Sequence, residues 1–296
     1  MSDGSLILPP LCLGLMRLPA WGLDGTGIRN LVTECLALGV DTFDLADIYG
    51  DYECESLFGN ALAGDAHLRD KIRVISKCGI RLLSKKRPEH RIKHYDSSHR
   101  HIVASVESSL RRLRTDRLDL LLLHRPDPLM DAEETAEAFD RLRRDGKVHH
   151  FGVSNFTPAQ AALLASRLPF PLATNQIEFS PLHLTPLGDG TLDWCQRQKL
   201  RPMVWSPLAG GRLLHGTDDR SAKVREALDR IGRKSGDLSV SQVALAWIWR
   251  HPIKPCIVVG TGKTERIRES VRARSVELDR QHWFEILKAA TGRDVP

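Results

Sequence analysis

Long apolar runs are missing from this chain of 296 residues, and their absence excludes a broad class of proteins. No stretch of about eighteen consecutive apolar residues occurs, so we expect no membrane span and no membrane partner. The first ten residues, MSDGSLILPP, lack a basic segment followed by an apolar run. We therefore expect no secretory signal. No low-complexity tract or short repeat occurs either.

Paired cysteines are also missing. The six cysteines are scattered and form no C-x-x-C pair, and they are Cys12, Cys35, Cys54, Cys78, Cys195 and Cys256. In a chain of this length the pattern argues against a disulfide framework and against a zinc cluster. We expect reduced thiols in a cytoplasmic protein without a metal site.

Positive charge is in excess, with a formal net charge of +6. Such an excess suits either a nucleic-acid partner or a phosphorylated cofactor. The most basic stretch, residues 81–101, also contains Glu89 and Asp96, and Tyr95 is its only aromatic residue. A solvated loop or an anion-attracting rim fits this composition better than a nucleic-acid site, because stacking aromatics are lacking.

Short apolar segments alternate with amphipathic segments of helical length along the whole chain. Asp131 and Gly146 are expected to cap one helix, and Thr157 is expected to cap the next. The eight expected strands are LPPLCLG, VDTFD, IRVISK, RLDLLLLH, HHFGVS, LATNQIE, RPMVWS and PCIVVG.

Alternating strands and helices predict a parallel sheet of the α/β class. Eight such strands can close into a (β/α)8 TIM barrel, which we expect to fill residues 1–296 as a single domain. An open doubly wound sheet is the alternative, although no early G-x-G-x-x-G follows the first strand. Long βα loops are expected at 79–97 and 208–239, the latter with a helix inside, and an extra C-terminal helix after Leu278.

Four polar residues lie where predicted strands give way to loops: Asp44, Tyr49, Lys77 and His124. A barrel gathers such strand ends at one face. A tyrosine has an ordinary pKa of about 10. A lysine ammonium at about 4 Å would favour tyrosinate by roughly 4 kcal/mol, or about three pKa units, at an effective dielectric of about 20. Tyr49 is therefore expected to act as a general acid.

The other two residues support that acid. Asp44 is expected to pair with Lys77 and to fix its direction. His124 either donates a hydrogen bond to a substrate carbonyl or helps to pass the proton, and the sequence leaves both roles open.

The same segments resemble motifs of the aldo-keto reductases, in the order that this family has them. VDTFDLADIYGDYECESLFG resembles its D-x-A-x-x-Y-G motif, VISKCG its lysine motif and DLLLLHRPD its histidine motif; further stretches are GKVHHFGVSNF, TNQIEFSPL and WSPLAGGRL. The resemblance implies a (β/α)8 barrel that reduces carbonyls to alcohols with a nicotinamide cofactor and without a metal. It implies that Tyr49 donates the proton, Lys77 lowers its pKa, Asp44 supports Lys77 and His124 orients the carbonyl.

The resemblance also implies the residues that bind the cofactor. Ser154, Asn155 and Gln176 match positions that hold the nicotinamide carboxamide, whose amide needs both donors and acceptors. Trp205 matches the aromatic residue that stacks on the nicotinamide, although a buried strand-end aromatic is the competing interpretation. The pyrophosphate loop corresponds to Ser206, Leu208, Ala209, Gly211 and Arg212.

The segment GTGKTERIRES, residues 260–270, is not a Walker A motif, because Ile257 stands where that motif needs glycine. In the family it holds the adenosine 2′-phosphate, and the matching residues are Gly260, Thr261, Lys263 and Arg266, with Glu269 and Ser270 beside the adenine. Cations and a hydroxyl at a helix start suit a phosphate, which predicts NADP(H) over NAD(H). Many members carry Lys-Ser in place of Gly260-Thr261, and Asn in place of Ser270.

The expectation is thus a cytoplasmic NADP(H)-dependent reductase of a small-molecule carbonyl, similar to the bacterial-type oxidoreductases of the family. One alternative is a cofactor-sensing subunit with slow or no turnover. Another is a barrel hydrolase or isomerase that uses Asp44 and Lys77. The substrate depends on the loops 17–27, 79–97 and 208–239, where Trp21 and the basic loop would favour an aromatic or anionic carbonyl. Substrate and oligomeric state stay open.

Overall fold

A closed barrel of eight parallel strands forms the centre of the fold in the computed structural model, which describes residues 6–296. Strands adjacent in sequence are neighbours around the barrel, and a two-stranded antiparallel sheet, β4–β5, lies outside it. The (β/α)8 prediction is confirmed. The strands are Leu11–Gly14 (β1), Thr42–Asp44 (β2), Arg73–Cys78 (β3), Ile80–Arg81 (β4), His94–Tyr95 (β5), Leu118–Leu123 (β6), Val148–Ser154 (β7), Asn175–Glu178 (β8), Met203–Trp205 (β9) and Cys256–Val259 (β10).

Helices follow the strands along the chain. They are Gly25–Ala37 (α1), Tyr49–Tyr52 (α2), Cys54–Leu62 (α3), Ala66–Asp70 (α4), His99–Leu113 (α5), Ala132–Arg144 (α6), Pro158–Ala165 (α7), Thr185–Gly188 (α8), Thr191–Arg197 (α9), Arg212–His215 (α10), Asp219–Lys234 (α11), Val240–Arg250 (α12), Thr264–Arg272 (α13) and Arg280–Thr291 (α14). Three short 3-10 helices add Leu18–Trp21, Ala209–Gly211 and Ala273–Ser275.

The chain divides into two compact units. The first takes the described residues up to Gln176 together with Gly260–Gly262, and the second takes Ile177–Val259 and Lys263–Pro296. The single domain over residues 1–296 stays a prediction, and its first five residues lie outside the described residues.

Strands of the first unit are buried at consecutive positions, as expected for a parallel sheet with both faces covered. In β6, the residues Leu120–Leu123 are all at most 1% exposed. This strand pairs with β3, so that Lys77 lies opposite Leu122, and β2 pairs with the other edge of β3, so that Asp44 lies opposite Ile75. The register therefore brings the ends of three strands to the same edge.

Side-chain caps fix the starts of the helices that follow these strands. The Asp131 carboxylate accepts from two backbone N–H groups at the start of α6, and Thr157 forms a capping box with Gln160 at the start of α7, as predicted for both caps. The predicted C-cap is off by one residue. Asp145 caps α6, and Gly146 follows it with a φ of 70°, because the left-handed conformation falls on the residue after the cap.

Helices form most of the second unit's core. Trp247 of α12 stacks on Trp283 of α14 with ring centroids 5.0 Å apart, and each indole N–H donates to the other residue's carbonyl oxygen. The predicted extra C-terminal helix is α14, and the helix expected within 208–239 is α11. No helix within residues 6–296 is long and apolar enough to cross a membrane.

Candidate active site

The predicted catalytic residues lie at neighbouring strand ends in the first unit. Asp44 is the last residue of β2, Lys77 is the penultimate residue of β3, and His124 directly follows β6. Tyr49 begins α2, five residues after Asp44 along the loop. The backbone N–H of His124 donates to the Cys78 carbonyl oxygen over 2.8 Å, so β6 carries the histidine alongside β3. The strand register brings Asp44, Lys77 and His124 together, and the loop after β2 adds Tyr49.

The Lys77 ammonium is at the centre of the cluster. It donates to both Asp44 carboxylate oxygens and to the Leu45 carbonyl oxygen, each over 2.7 Å, and to the Tyr49 hydroxyl over 3.2 Å. The Lys77 side chain is 0% exposed. Burial lowers its pKa, but the Asp44 carboxylate and Tyr49 more than offset this, so the pKa of Lys77 lies above its ordinary value. Lys77 is therefore a buried ammonium with a fixed direction.

The pKa of Tyr49 differs from the sequence prediction. Burial raises this pKa above its ordinary value, the Lys77 ammonium lowers it, and Asp44 raises it again. The expected net decrease is therefore wrong, because the sequence argument counted the nearby charge without the loss of hydration. The phenol keeps its proton at neutral pH. The Lys77 ammonium still stabilises negative charge on the phenolic oxygen whenever that proton leaves.

His124 faces the tyrosine ring edge to face, with ring centroids 5.6 Å apart. Burial, followed by the positive charges of Lys77 and Arg125, holds the pKa of His124 well below its ordinary range. The imidazole is thus neutral and carries one N–H. Its Nδ1 has no hydrogen-bond partner among the residues that the structure describes. A neutral ring with an unused nitrogen suits a hydrogen bond to a ligand better than a role as a proton-carrying imidazolium.

Three residues predicted to hold the carboxamide form a connected cluster at the end of β7 and in the first half of β8. The Gln176 amide donates to the Asp44 carboxylate over 3.0 Å. Ser154 Oγ donates to the Gln176 carbonyl oxygen over 3.0 Å, and the Asn155 amide donates to Ser154 Oγ over 2.8 Å. Hydrogen bonds therefore connect the three residues predicted to hold the carboxamide with Asp44, the carboxylate that supports Lys77. The sequence did not reveal this connection.

Residues predicted to bind the pyrophosphate lie in the second unit. Trp205 ends β9 and is half-buried, so stacking on the nicotinamide and the competing interpretation of a buried strand-end aromatic both stay open. The chain after it bends through left-handed backbone at Ser206 (φ 50°) and Ala209 (φ 51°), and Gly211 has a φ of 101°. Leu208 accepts the Gly211 N–H through its carbonyl oxygen, and the Arg212 guanidinium donates to Asp218 over 3.3 Å.

Residues predicted to bind the adenosine phosphate follow β10. Gly260 and Thr261 belong to the first unit, and the others belong to the second. Lys263 is the N-cap of α13, and both Lys263 and Arg266 are exposed. Ser270 is buried and its hydroxyl donates to the Arg266 carbonyl oxygen, while Glu269 accepts from the Ser239 hydroxyl. Two exposed cations in the first turns of a helix fit an anionic group.

One buried acid near the site was missed. Asp47 lies between Asp44 and Tyr49 and is 5% exposed; its carboxylate accepts from Ser105 of α5 over 2.8 Å. In the sequence, the only indication of this residue was that DLADIYG contains a second aspartate. That acid has no partner nearby along the chain, so only the packing of α5 reveals its surroundings. Within residues 6–296, no cluster of side chains suited to holding a metal ion occurs.

Comparison with known proteins defines the family. The sequence pattern of the Aldo/keto reductase family matches residues 10–290, and the chain belongs to this family. It is 51% identical over 284 residues to Oxidoreductase YdhF of Escherichia coli (strain K12), covering 96% of this chain and 94% of the relative. It is 46% identical over 268 residues to 6-dehydroglucose reductase of Agrobacterium fabrum (strain C58 / ATCC 33970), covering 90% and 89%.

A solved structure agrees with the family. The holo form of aldo-keto reductase AKR11C1 from Bacillus halodurans superimposes with a TM-score of 0.81 at 25% identity, covering 100% of this chain and 96% of the neighbour. The family and the oxidoreductase names of the relatives support an oxidoreductase that reduces a carbonyl group.

Proposed function

We propose that the protein is an NADP(H)-dependent aldo-keto reductase that reduces an aldehyde or ketone to an alcohol, with Tyr49 as the general acid. The observation that carries this proposal is the buried cluster in which Lys77 donates to both Asp44 and the Tyr49 hydroxyl. An ammonium fixed beside a protonated phenol stabilises the phenolate that forms when a carbonyl oxygen takes the proton.

The remaining site residues orient the substrate in this proposal. The neutral His124 donates a hydrogen bond to the carbonyl oxygen, which polarises the carbonyl and directs it to the Tyr49 hydroxyl. Asp44 keeps the Lys77 ammonium in place, and Gln176 holds the Asp44 carboxylate from its other side. The low pKa of His124 supports its role as a donor, because the ring stays neutral while it retains one N–H.

The chain offers groups that fit a nicotinamide cofactor. In the first unit, Ser154, Asn155 and Gln176 would hold the carboxamide. In the second unit, Trp205 would stack on the nicotinamide ring, Ser206–Arg212 would follow the pyrophosphate, and Lys263 with Arg266 would hold the 2′-phosphate. These two exposed cations at the start of α13 support NADP(H), because only this cofactor carries a 2′-phosphate for them to bind. When bound, the reduced cofactor supplies the hydride.

Compartment and substrate belong to the same proposal. All six cysteines are buried free thiols, which suits the reducing cytoplasm. The substrate is a small carbonyl compound, and neither nucleic acid nor membrane is a partner. The name of the Agrobacterium relative makes a sugar aldehyde such as 6-dehydroglucose one member of the substrate panel.

The test is steady-state turnover, followed by the loss of NADPH absorbance, with a panel of aldehydes, ketones and quinones that includes 6-dehydroglucose. We expect at least one compound to be reduced at a rate typical of enzymes, about 1 s⁻¹ or faster. Tight NADPH binding without turnover of any compound would favour the cofactor-sensing alternative. Absence of nicotinamide binding would favour a hydrolase or isomerase.

A further inference from the structure

A cavity lies between α2, α5 and the 79–97 loop, next to the segment that carries Tyr49. It has a volume of about 160 Å³, and its lining includes Asp47, Tyr52, Arg81, Arg87, His101 and Ser105. A single buried water needs only about 10–15 Å³ of such volume. The cavity therefore has room for a small ligand, and Lys77, Tyr49 and His124 are not among its lining residues.

The proton on His101 can be located from its neighbours. Arg81 lies with its Nη1 3.1 Å from His101 Nδ1, and a guanidinium can only donate. Burial lowers the pKa of His101 to about 4, so the ring is neutral near pH 7. Nδ1 must therefore accept, which places the single proton on Nε2. This Nε2–H is buried and has no hydrogen-bond partner among residues 6–296.

Asp47 also lines the cavity, and one of its carboxylate oxygens has no hydrogen-bond partner among the described residues. Its Oδ2 accepts from the Ser105 hydroxyl, one helical turn beyond His101 on α5, whereas its Oδ1 is buried and unpartnered within the described part of the chain. Burial and the Glu55 carboxylate raise the pKa of Asp47 to about 7. A protonated Oδ1 would be a second donor among the residues that line the cavity, besides the Nε2–H of His101.

The guanidinium groups of the lining differ in their partners. Arg81 pairs with Asp96, and Arg112 pairs with the buried Glu55. Arg87 lies over the Tyr52 ring, with 4.7 Å from its guanidinium carbon to the ring centroid. Its side chain forms no ion pair with a carboxylate among residues 6–296, so its positive charge is not neutralised there.

We propose that this cavity is a second ligand site, which binds a small oxyanion of the sulfate, phosphate or carboxylate class through His101 Nε2–H, Arg87 and the Asp47 carboxyl group. The site does not depend on the proposed reductase activity. Donors without partners favour an acceptor ligand, and a guanidinium provides the charge-assisted hydrogen bonds that oxyanions prefer.

Binding of the anion is linked to a proton in this proposal, because an ionised Asp47 would repel it. Four charged or titratable groups interact electrostatically with Asp47, namely Glu55, Arg112, Tyr52 and Cys78. Four more line the same cavity, namely Arg81, Arg87, His90 and His101; the eight groups come from β3, α2, α3, α5 and the 79–97 loop. With a pKa of about 7, Asp47 is mostly protonated at pH 6 and mostly ionised at pH 8. The anion affinity should therefore fall about tenfold between these pH values.

Isothermal titration calorimetry with sodium sulfate and, separately, sodium acetate at constant ionic strength tests the proposal. Both anions keep their charge between pH 6 and pH 8, and they distinguish an inorganic tetrahedral oxyanion from a carboxylate. We expect one site for at least one of them. Arg87→Ala and His101→Phe should each weaken binding by about tenfold or more. Arg91→Ala removes the same charge from an exposed position of the same loop and should bind like the wild type.

The pH arm uses Asp47→Asn, which is neutral at every pH. The wild type should lose about tenfold in affinity from pH 6 to pH 8, and the variant should lose almost none. Arg87→Ala changes only a loop side chain, so the test stands if His101→Phe does not fold. The proposal is overturned if the wild type binds neither anion at tens of millimolar. It is also overturned if Arg87→Ala and Arg91→Ala bind equally, because the anion then lies elsewhere.

Discussion

Replacing Lys77 by methionine removes the ammonium and keeps most of the side-chain volume. The ammonium lies 3.2 Å from the Tyr49 oxygen, where one charge stabilises a phenolate by about 5 kcal/mol at an effective dielectric of about 20. Asp44 offsets part of this stabilisation, because its carboxylate lies 2.7 Å from the same nitrogen. We therefore expect a loss in kcat of about 10²- to 10³-fold, which is the effect of removing one preorganised donor.

The same change should destabilise the fold. Asp44 is 3% exposed. Without Lys77, its carboxylate still accepts the hydrogen bond from the Gln176 amide but has lost the ammonium that balances its charge. Breaking a buried ion pair on one side costs about 3–5 kcal/mol. Chemical denaturation of Lys77→Met should show this loss. The double variant Lys77→Met/Asp44→Asn should recover most of the stability, because no buried charge is left unpaired.

The double variant separates the two effects. If Lys77 acts on the Tyr49 oxygen, the double variant regains stability while kcat for carbonyl reduction stays low. In the double variant, the decrease of kcat at alkaline pH should also occur at a higher pH than in the wild type, because Lys77 lowers the Tyr49 pKa against the effect of burial. Recovery of both stability and kcat would refute this reasoning and leave Lys77 with a structural role.

Three further predictions concern other residues. Lys263→Ala with Arg266→Ala should weaken NADPH binding by about 10- to 100-fold and NADH binding hardly at all, since only NADPH has the 2′-phosphate. Fluorescence titration measures both affinities, with Arg272→Ala as the control variant. Equal losses for the two cofactors would contradict the assignment. His124→Ala should lower kcat far more than NADPH affinity, and the reverse would remove His124 from the substrate site. Asp47 has a pKa raised from 3.8 to about 7, so the wild type loses stability as the pH rises from about 4 to about 7. Asp47→Asn should not show this loss. At about 1.4 kcal/mol per pKa unit, the variant should exceed the wild type in free energy of unfolding at pH 8 by at most about 4 kcal/mol. Denaturation curves with the same pH dependence for both proteins would contradict this.

The sequence predicted the barrel and the meeting of the strand ends because both follow from local patterns. Consecutive apolar positions in DLLLL mark a strand covered on both faces, and parallel pairing then places Lys77 beside the end of β2. Caps such as Thr157 were predicted because they act within four residues. The C-cap of α6 was off by one, since helix ends depend on a single dihedral angle.

What the sequence left out depends on packing between distant segments. The net direction of the Tyr49 pKa follows from burial, which is not visible in a list of neighbouring charges. Residues 81–101 were interpreted as a solvated loop or an anion-attracting rim, yet they include the buried His90 and most of a short hairpin. The cavity that Asp47 lines depends on α5, which contributes His101 and Ser105. The Ser105 hydroxyl bonds to Asp47, although the two residues are 58 positions apart in the sequence.

The central claim is that the Tyr49 hydroxyl donates the proton to the carbonyl oxygen, and Tyr49→Phe tests it most directly. This variant removes one oxygen atom and leaves the Lys77–Asp44 pair in place. We predict that carbonyl reduction, followed by NADPH absorbance on the best substrate of the panel, falls by at least about 10²-fold, while NADPH affinity stays within about twofold. Turnover close to that of the wild type would contradict the account.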